Sequence, residues 1–173
     1  MPKNPLLSAS VYLRAHATIK EQHVNVGFMT SGGLAPCLLS CSVAQLAAYW
    51  IEALNEGKIS GLTLRMYVDG YSGILTGNSF VVPESDYESL KKLNFLGGSP
   101  IGNSRVKLTN LKDCEARGFI KNGEQPLEVA SQQLILDQIN VLHTIGGDGK
   151  FDFSKSNSRQ VFHLFHVLLF ILN

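Results

Sequence analysis

The sequence has few cysteines, little charge and almost no net charge. Only three of its 173 residues are cysteine, too few for a disulfide framework, so we expect a reducing, cytoplasmic location. Charged residues make up 17% of the chain, against about 25% in an average protein. Fifteen basic and fourteen acidic side chains leave a net charge of +1. No broad field therefore attracts a nucleic acid or an anionic membrane, and we expect neither as a partner.

The sequence also lacks an apolar run long enough to span a bilayer. The longest, at residues 161–172, reads VFHLFHVLLFIL and is interrupted by two histidines. Twelve residues fall short of the roughly twenty that a membrane helix needs. We expect this run to be buried or to pair with a partner. At the other end, residues 1–23 are basic and predict a solvated extension rather than a transit peptide.

The first half of the chain has the pattern of a βαβ unit. Residues 24–29 (VNVGFM) and 62–68 (LTLRMYV) are short apolar runs that predict strands. Between them, a glycine-rich turn at residues 30–36 precedes a stretch with helical apolar spacing. Its apolar face consists of Leu39, Val43, Leu46, Trp50 and Leu54. We therefore expect two parallel strands joined by a helix.

The second half of the chain also alternates predicted loops, helices and a strand. Residues 69–73 and 95–105 predict loops, and residues 84–93 and 110–116 predict short helices. Pro126 suits the first position of a further helix, and residues 141–145 predict a third strand. The fold class that follows is α/β, a Rossmann-like parallel sheet with flanking helices. We assign residues 24–149 to this lobe and residues 150–173 to a divergent apolar tail.

Three glycine-rich segments, at residues 30–36, 97–105 and 146–149, are the main candidates for chemistry. Two of them directly follow predicted strands, and loops at the carboxyl ends of parallel strands converge on one crevice. Glycine lets the backbone approach a phosphate closely, and a helix amino terminus adds a partial positive charge. These segments predict a phosphate site. The alternative is that Gly32 and Gly33 only form a tight turn.

Four single residues have both a functional and a structural interpretation. Asp148 sits in a glycine loop, where it could hold a magnesium ion or form a turn with its own backbone. Arg105 could bind phosphate in a bidentate manner or remain solvated. Tyr71 could stack on a flat ring or pack on the sheet. His143 lies in an apolar strand, which favours a core histidine over a ligand.

Taken together, these segments resemble the phosphofructokinase family. MTSGGLAPC, at residues 29–37, is similar to the family's first phosphate loop, and TIGGDG, at 144–149, to its magnesium loop. GGSPIGNSRVKLTNLKDCEARG, at 97–118, resembles the pyrophosphate-dependent branch. The similarity covers about residues 24–148. Lipid and NAD kinases carry a similar GGDG loop, but the middle segment argues against them.

The resemblance implies phosphoryl transfer to the 1-hydroxyl of fructose 6-phosphate, the phosphofructokinase step of glycolysis. It implies pyrophosphate or ATP as donor, Mg²⁺ as cofactor, and a homo-oligomer when complete. Asp148 matches the magnesium-binding aspartate. The donor-phosphate residues implied are Gly32, Gly33, Tyr71, Gly97, Arg105, Gly147 and Gly149.

Two positions bear on the phosphoryl donor. Leu96 stands where ATP-dependent relatives carry arginine, which disfavours a nucleotide. Gly149 stands where pyrophosphate-dependent relatives usually carry a second aspartate, and it favours ATP. The resemblance ends at Lys150, however, so Gly149 is a weak guide, and we expect pyrophosphate.

The family's catalytic base lies in a Thr-Ile-Asp-Asn-Asp segment, which does not occur in this sequence. We therefore assign no catalytic residue and expect an amino-terminal fragment that is inactive alone. The alternative is a non-catalytic module of the same origin, which binds phosphate or pairs with a subunit.

Overall fold

The computed structural model describes residues 23–31 and 38–146, which build a sheet covered by helices on both faces. In chain order the elements are β1 (His23–Ser31), α1 (Leu38–Asn55), β2 (Gly61–Tyr67), α2 (Tyr71–Thr76), β3 (Ser79–Val82), a 3-10 helix (Glu84–Phe95), α3 (Leu111–Ala116), α4 (Pro126–Leu136) and β4 (Val141–Gly146). The predicted α/β class and the three predicted strands are confirmed.

The strand order is β3-β2-β1-β4. β1 lies in the middle of the parallel part and pairs with β2 on one side and β4 on the other. The prediction of a purely parallel sheet is wrong at one edge, because β3 runs antiparallel to β2. Its four residues, SFVV, are too few to produce a recognisable alternation in the sequence.

The segment after β2 also differs from the prediction of a loop at residues 69–73. Only its first two residues are a turn, and Tyr71–Thr76 is a helix. Gly73 lies inside that helix, where any side chain would clash with the carbonyl oxygen of Val68. The tight packing therefore requires glycine at this position. The loop prediction was wrong because glycine in a sequence usually indicates a loop.

The two faces of the sheet form separate apolar cores. Alternate residues of β1, including Val24, Val26 and Phe28, pack under α1 and the 3-10 helix. On the opposite face Met29, Tyr67 and Leu142 pack against α2 and α4. The predicted apolar face of α1 is confirmed: Leu39, Val43 and Trp50 are buried, and Leu46 and Leu54 are partly buried.

Two further expectations concern single features. Pro126 is the first residue of α4, as predicted, and Cys41 and Cys114 are free thiols. Within the described ranges no helix is both long and apolar enough to cross a membrane. The basic extension up to residue 22 and the tail from residue 150 lie outside the described residues.

Candidate functional site

Three backbone segments lie side by side where β1 ends. Ser31, the last residue of β1, pairs in parallel with Gly146, the last residue of β4. On its other side Ser31 forms a parallel bridge with Ser104 of the loop at residues 97–105. Adjacent strands lie about 4.8 Å apart. One described residue from each of the three glycine-rich segments, namely Ser31, Ser104 and Gly146, therefore lies at the same edge of the sheet.

Glycine is required where these segments touch. A side chain at Gly146 would overlap the carbonyl oxygen of Ser31, so only glycine allows β4 to approach β1 so closely. A side chain at Gly70 would overlap the carbonyl oxygen of Thr30. Gly70 also has a φ of +62°, in the left-handed region that glycine tolerates best. Both contacts bring backbone against backbone at the carboxyl edge of the sheet.

Hydroxyl groups hold the middle loop against β1. The hydroxyl oxygens of Thr30 and Ser99 lie 2.8 Å apart, and both contact the carbonyl oxygen of Gly102. The amide of Asp69, just after β2, donates to the carbonyl oxygen of Ile101 at 2.8 Å. The loop is thus hydrogen-bonded to the ends of β1 and β2, which gives an irregular segment a defined position.

The beginning of α1 is tied to the same loop. The hydroxyl of Ser40 donates to the carbonyl oxygen of Gly98 at 2.6 Å, and the Gln45 amide donates to the Asn94 side chain at 3.1 Å. The first bond holds the beginning of α1 beside the loop, and the second connects α1 to the end of the 3-10 helix. A helix amino terminus carries a partial positive charge that attracts anions.

Asp69 adopts an unusual backbone conformation at the end of β2. Its φ is +58°, in the left-handed region, and its side chain is exposed. The carboxylate lies against Gly102, where any side chain would overlap it. Left-handed backbone at a non-glycine residue costs free energy of order 1 kcal/mol, and aspartate in a turn tolerates it better than most residues.

The structure describes three of the predicted donor-site residues. Gly97 is exposed, with open space where a side chain would begin. Arg105 is exposed, and it alternates with the buried Val106 in an extended segment. No other described residue forms an ion pair with its guanidinium. Tyr71 is only 4% exposed, and burial raises the pKa of its hydroxyl far above the usual range. Tyr71 thus packs in the core, the alternative that the sequence left open.

The other predicted site residues are Gly32, Gly33, Gly147, Asp148 and Gly149, and they lie outside the described residues. Their starting points are known, because Gly32 follows Ser31 and Gly147 follows Gly146 in the chain. Ser31 and Gly146 are register partners, so the two loops leave the sheet from adjacent positions. In the part of the chain that is described, no three His, Cys, Asp or Glu side chains come together as metal ligands.

Sequence reasoning missed two residues at this edge, Ser104 and Asp69. Ser104 occupies the bridge with Ser31, and Asp69 places a carboxylate beside the loop. A serine in a glycine-rich loop and an aspartate before a glycine are both common in ordinary turns. No local sequence signal distinguishes these two residues from ordinary turn residues. The position of Asp69 at the carboxyl end of a predicted strand could, however, have marked it as a candidate site residue.

His143 is a core residue, as predicted. It is 4% exposed, and its Nε2 accepts a 2.8 Å hydrogen bond from the indole N–H of Trp50. Burial lowers the pKa of His143 to about 4. The imidazole is therefore neutral near pH 7, and it joins β4 to α1 rather than facing the candidate site.

Relatives of the chain share one name. Over 123 residues the chain is 48% identical to the pyrophosphate--fructose 6-phosphate 1-phosphotransferase of Methylotuvimicrobium alcaliphilum. It is 47% identical to the protein of that name from Propionibacterium freudenreichii. Each match covers 71% of this chain and 29% of the relative, so the chain spans under a third of their length. No family model matches the sequence.

Solved structures share the fold. A pyrophosphate-dependent phosphofructokinase from Marinobacter aquaeolei superimposes with a TM-score of 0.54 at 14% identity, over 72% of this chain and 26% of the other. Phosphofructokinase from Saccharomyces cerevisiae gives 0.52 at 22% identity, over 73% and 14%. At these identities the likeness concerns the fold alone. The sequence relatives extend the likeness: over 71% of its length the chain is similar in sequence to pyrophosphate--fructose 6-phosphate 1-phosphotransferases.

Proposed function

We propose that this chain provides the phosphoryl-donor side of a 6-phosphofructokinase. The enzyme would transfer a phosphoryl group from pyrophosphate to the 1-hydroxyl of fructose 6-phosphate. One observation carries the proposal: Ser104, Ser31 and Gly146 lie side by side at the carboxyl edge of the sheet. Each of the three glycine-rich segments of the resemblance contributes one residue to this trio. The names of the sequence relatives support the same activity.

The edge has the features that bind a polyanion. Glycine-rich backbone exposes N–H groups, and the start of α1 adds a partial positive charge. Arg105 leaves the trio directly after Ser104 with an exposed guanidinium, which can donate two parallel hydrogen bonds to a phosphate. Lys107 is exposed as well, since residues 105–108 alternate between exposed and buried. In this proposal Gly32, Gly33, Gly97, Gly147 and Gly149 surround the donor phosphates.

Magnesium fits the chemistry of this edge. The described side chains nearby offer oxygen atoms, namely the hydroxyls of Ser31 and Ser104 and the carboxylate of Asp69. Oxygen ligands are those that Mg²⁺ prefers. Asp148 is the residue we propose to hold the ion, two positions after Gly146. When bound, the ion would neutralise charge on the donor phosphates.

The contribution of the chain to the reaction is positional. Phosphoryl transfer depends on alignment and charge neutralisation more than on covalent chemistry by the protein. The hydrogen bonds from Thr30 and Ser40 to the middle loop fix that loop before any ligand arrives. A donor held in this way loses less freedom at the moment of transfer. The resemblance supplies no candidate for the base that deprotonates the sugar hydroxyl.

We propose pyrophosphate as the donor rather than ATP. Leu96 is apolar and 53% exposed beside Gly97, so this position provides no cation for a nucleotide phosphate. Tyr71, which matches the aromatic beside the nucleotide in ATP-dependent relatives, is buried. Gly149 remains the one feature that favours ATP. Fructose 6-phosphate binding and homo-oligomer formation complete the proposal on the resemblance alone, and a cytoplasmic location is proposed from the low cysteine content.

Isothermal titration of residues 1–173 with magnesium pyrophosphate, and separately with magnesium ATP, tests the proposal. We expect pyrophosphate to bind more tightly and Arg105→Ala to weaken binding. Arg117→Ala is the matched control, because Arg117 pairs at the surface with Asp113, away from the trio. Tighter binding of ATP would reverse the choice of donor, and binding of neither would overturn the proposal. Phosphorylation of fructose 6-phosphate in a coupled assay then separates an enzyme from a binding module.

A further inference from the structure

The hydroxyl of Ser104 is buried without a hydrogen-bond partner in the described structure. Native proteins pair nearly all buried polar groups, so an unpaired one calls for an explanation. The backbone of Ser104 is engaged in its bridge with Ser31. Its carbonyl oxygen faces the Ser31 hydroxyl at 3.5 Å. The side-chain hydroxyl of Ser104, in contrast to its backbone, makes no hydrogen bond to any described residue.

Other hydroxyls at this edge differ in this respect. Those of Thr30 and Ser99 contact the carbonyl oxygen of Gly102, and that of Ser40 donates to Gly98. These three bonds shape the loop and attach it to β1 and α1. Because the loop is already held by its neighbours, the Ser104 hydroxyl is not needed to hold it.

Space around Ser104 is preserved by glycine. A Cβ at Gly70 would lie 3.3 Å from the Ser104 hydroxyl oxygen, closer than most such contacts. The next residue, Arg105, is exposed, and Ser104 itself is only partly buried. Rotation about χ1 moves a serine hydroxyl between staggered positions. An unpaired hydroxyl breaks no internal bond when it turns outward.

We propose that Ser104 is a binding residue of the donor site, whose hydroxyl donates a hydrogen bond to a phosphoryl oxygen of pyrophosphate. The inference rests on the proposed function. Ser104 and Arg105 would act together, since a neutral donor and a bidentate cation on consecutive residues suit neighbouring phosphate oxygens. Ser104 lies beside Ser31, on the side opposite to Gly146.

The test compares Ser104→Ala with Ser99→Ala, measuring both magnesium pyrophosphate affinity by calorimetry and the thermal midpoint of residues 1–173. We expect Ser104→Ala to bind about tenfold more weakly, with a thermal midpoint equal to or above that of the unmodified chain. Removing an unpaired buried hydroxyl takes away no internal bond. Ser99→Ala removes a donor to Gly102 and should lower the midpoint.

The outcomes separate this inference from the function on which it rests. If the unmodified chain binds pyrophosphate and Ser104→Ala binds it equally well, the inference is wrong and the proposed function stands. If Ser104→Ala lowers the thermal midpoint as much as Ser99→Ala, the hydroxyl is structural and the inference is again overturned. If the unmodified chain does not bind pyrophosphate, both fail.

Discussion

The indole N–H of Trp50 donates a 2.8 Å hydrogen bond to Nε2 of His143, across 93 positions of sequence. The bond connects α1 to β4, the strand that leads into the magnesium-loop segment. The Phe28 ring lies 5.2 Å from the imidazole between ring centroids. If the imidazole were protonated, its Nε2–H would face the indole N–H of Trp50, which is a donor and cannot accept a hydrogen bond. This explains why the neutral form is favoured.

The first prediction concerns the pH dependence of stability. The pKa of His143 is about 4 in the folded chain and about 6.5 in an unfolded one. Below pH 6.5 His143 binds a proton in the unfolded state, whereas in the folded state it stays neutral down to about pH 4. The free energy of unfolding should therefore fall between pH 6.5 and 4, by of order 1 kcal/mol per pH unit from this residue. Urea denaturation across this range measures it.

His143→Gln is the informative variant, because an amide oxygen can still accept from Trp50 but does not titrate. Its pH profile should be flatter than that of the unmodified chain between pH 6.5 and 4. The carboxylates contribute equally to both profiles and cancel in the difference. Parallel profiles would show that His143 is protonated in the folded state as easily as in water.

The second prediction concerns Gly146. A methyl group there would overlap the carbonyl oxygen of Ser31, and neither backbone can move without breaking the pairing of β1 with β4. We expect Gly146→Ala to lower the free energy of unfolding by about 1–3 kcal/mol, as measured by chemical denaturation. The same variant should weaken pyrophosphate binding, since both flanking loops start from this pair.

Gly97→Ala is its matched control. Gly97 has open space around its Cα, and its φ is not in the left-handed region. Stability should change by less than about 0.5 kcal/mol. A large loss of stability in Gly97→Ala, or none in Gly146→Ala, would contradict the strand-end geometry described above.

The third prediction concerns Asp137, which joins α4 to β2. Its carboxylate accepts hydrogen bonds from the Tyr67 hydroxyl at 2.8 Å and the Gln133 amide at 3.0 Å. Its other oxygen lies 3.5 Å from the Arg65 guanidinium. The carboxylate is 12% exposed, so water cannot readily replace these partners. We expect Asp137→Ala to cost about 1–3 kcal/mol of stability.

Asp113→Ala provides the comparison. Its pair with Arg117, at 3.6 Å, has both side chains more than 40% exposed. Exposed pairs contribute roughly 0–1 kcal/mol because water and salt screen them. Equal losses in the two variants would mean that the Asp137 contacts do not act as a buried network.

The fourth prediction concerns magnesium. If Asp148 holds the ion that bridges donor phosphates, pyrophosphate affinity should rise with Mg²⁺ concentration in the unmodified chain. Asp148→Asn should abolish most of that dependence, because an amide is a weaker ligand for a hard cation. Asp86→Asn, at an exposed position of the 3-10 helix, should leave it unchanged. Calorimetric titrations at several Mg²⁺ concentrations would reveal the difference.

Much of the fold was predictable because its signals are local. The apolar spacing from Leu39 to Leu54 defined α1 and the face that it buries. The runs at residues 24–29, 62–68 and 141–145 defined three strands, and Pro126 marked the start of α4. Each signal depends on neighbours within a few residues, which is the range over which periodicity and capping act. The resemblance to phosphofructokinases was also contained in short contiguous segments.

The tertiary structure decided what depends on distant backbone. β3 forms because its four residues pair antiparallel with the edge of β2. The sequence of these four residues does not by itself indicate that pairing. The sequence does not distinguish Ser104 from the other serines. Its pairing with Ser31, 73 positions away, places it in the trio. Tyr71 had two interpretations, and its burial in the core that α2 and α4 form with the sheet favours packing. Local patterns record which face a residue buries, whereas the site arises from which strand ends become neighbours, a property of the folded sheet alone.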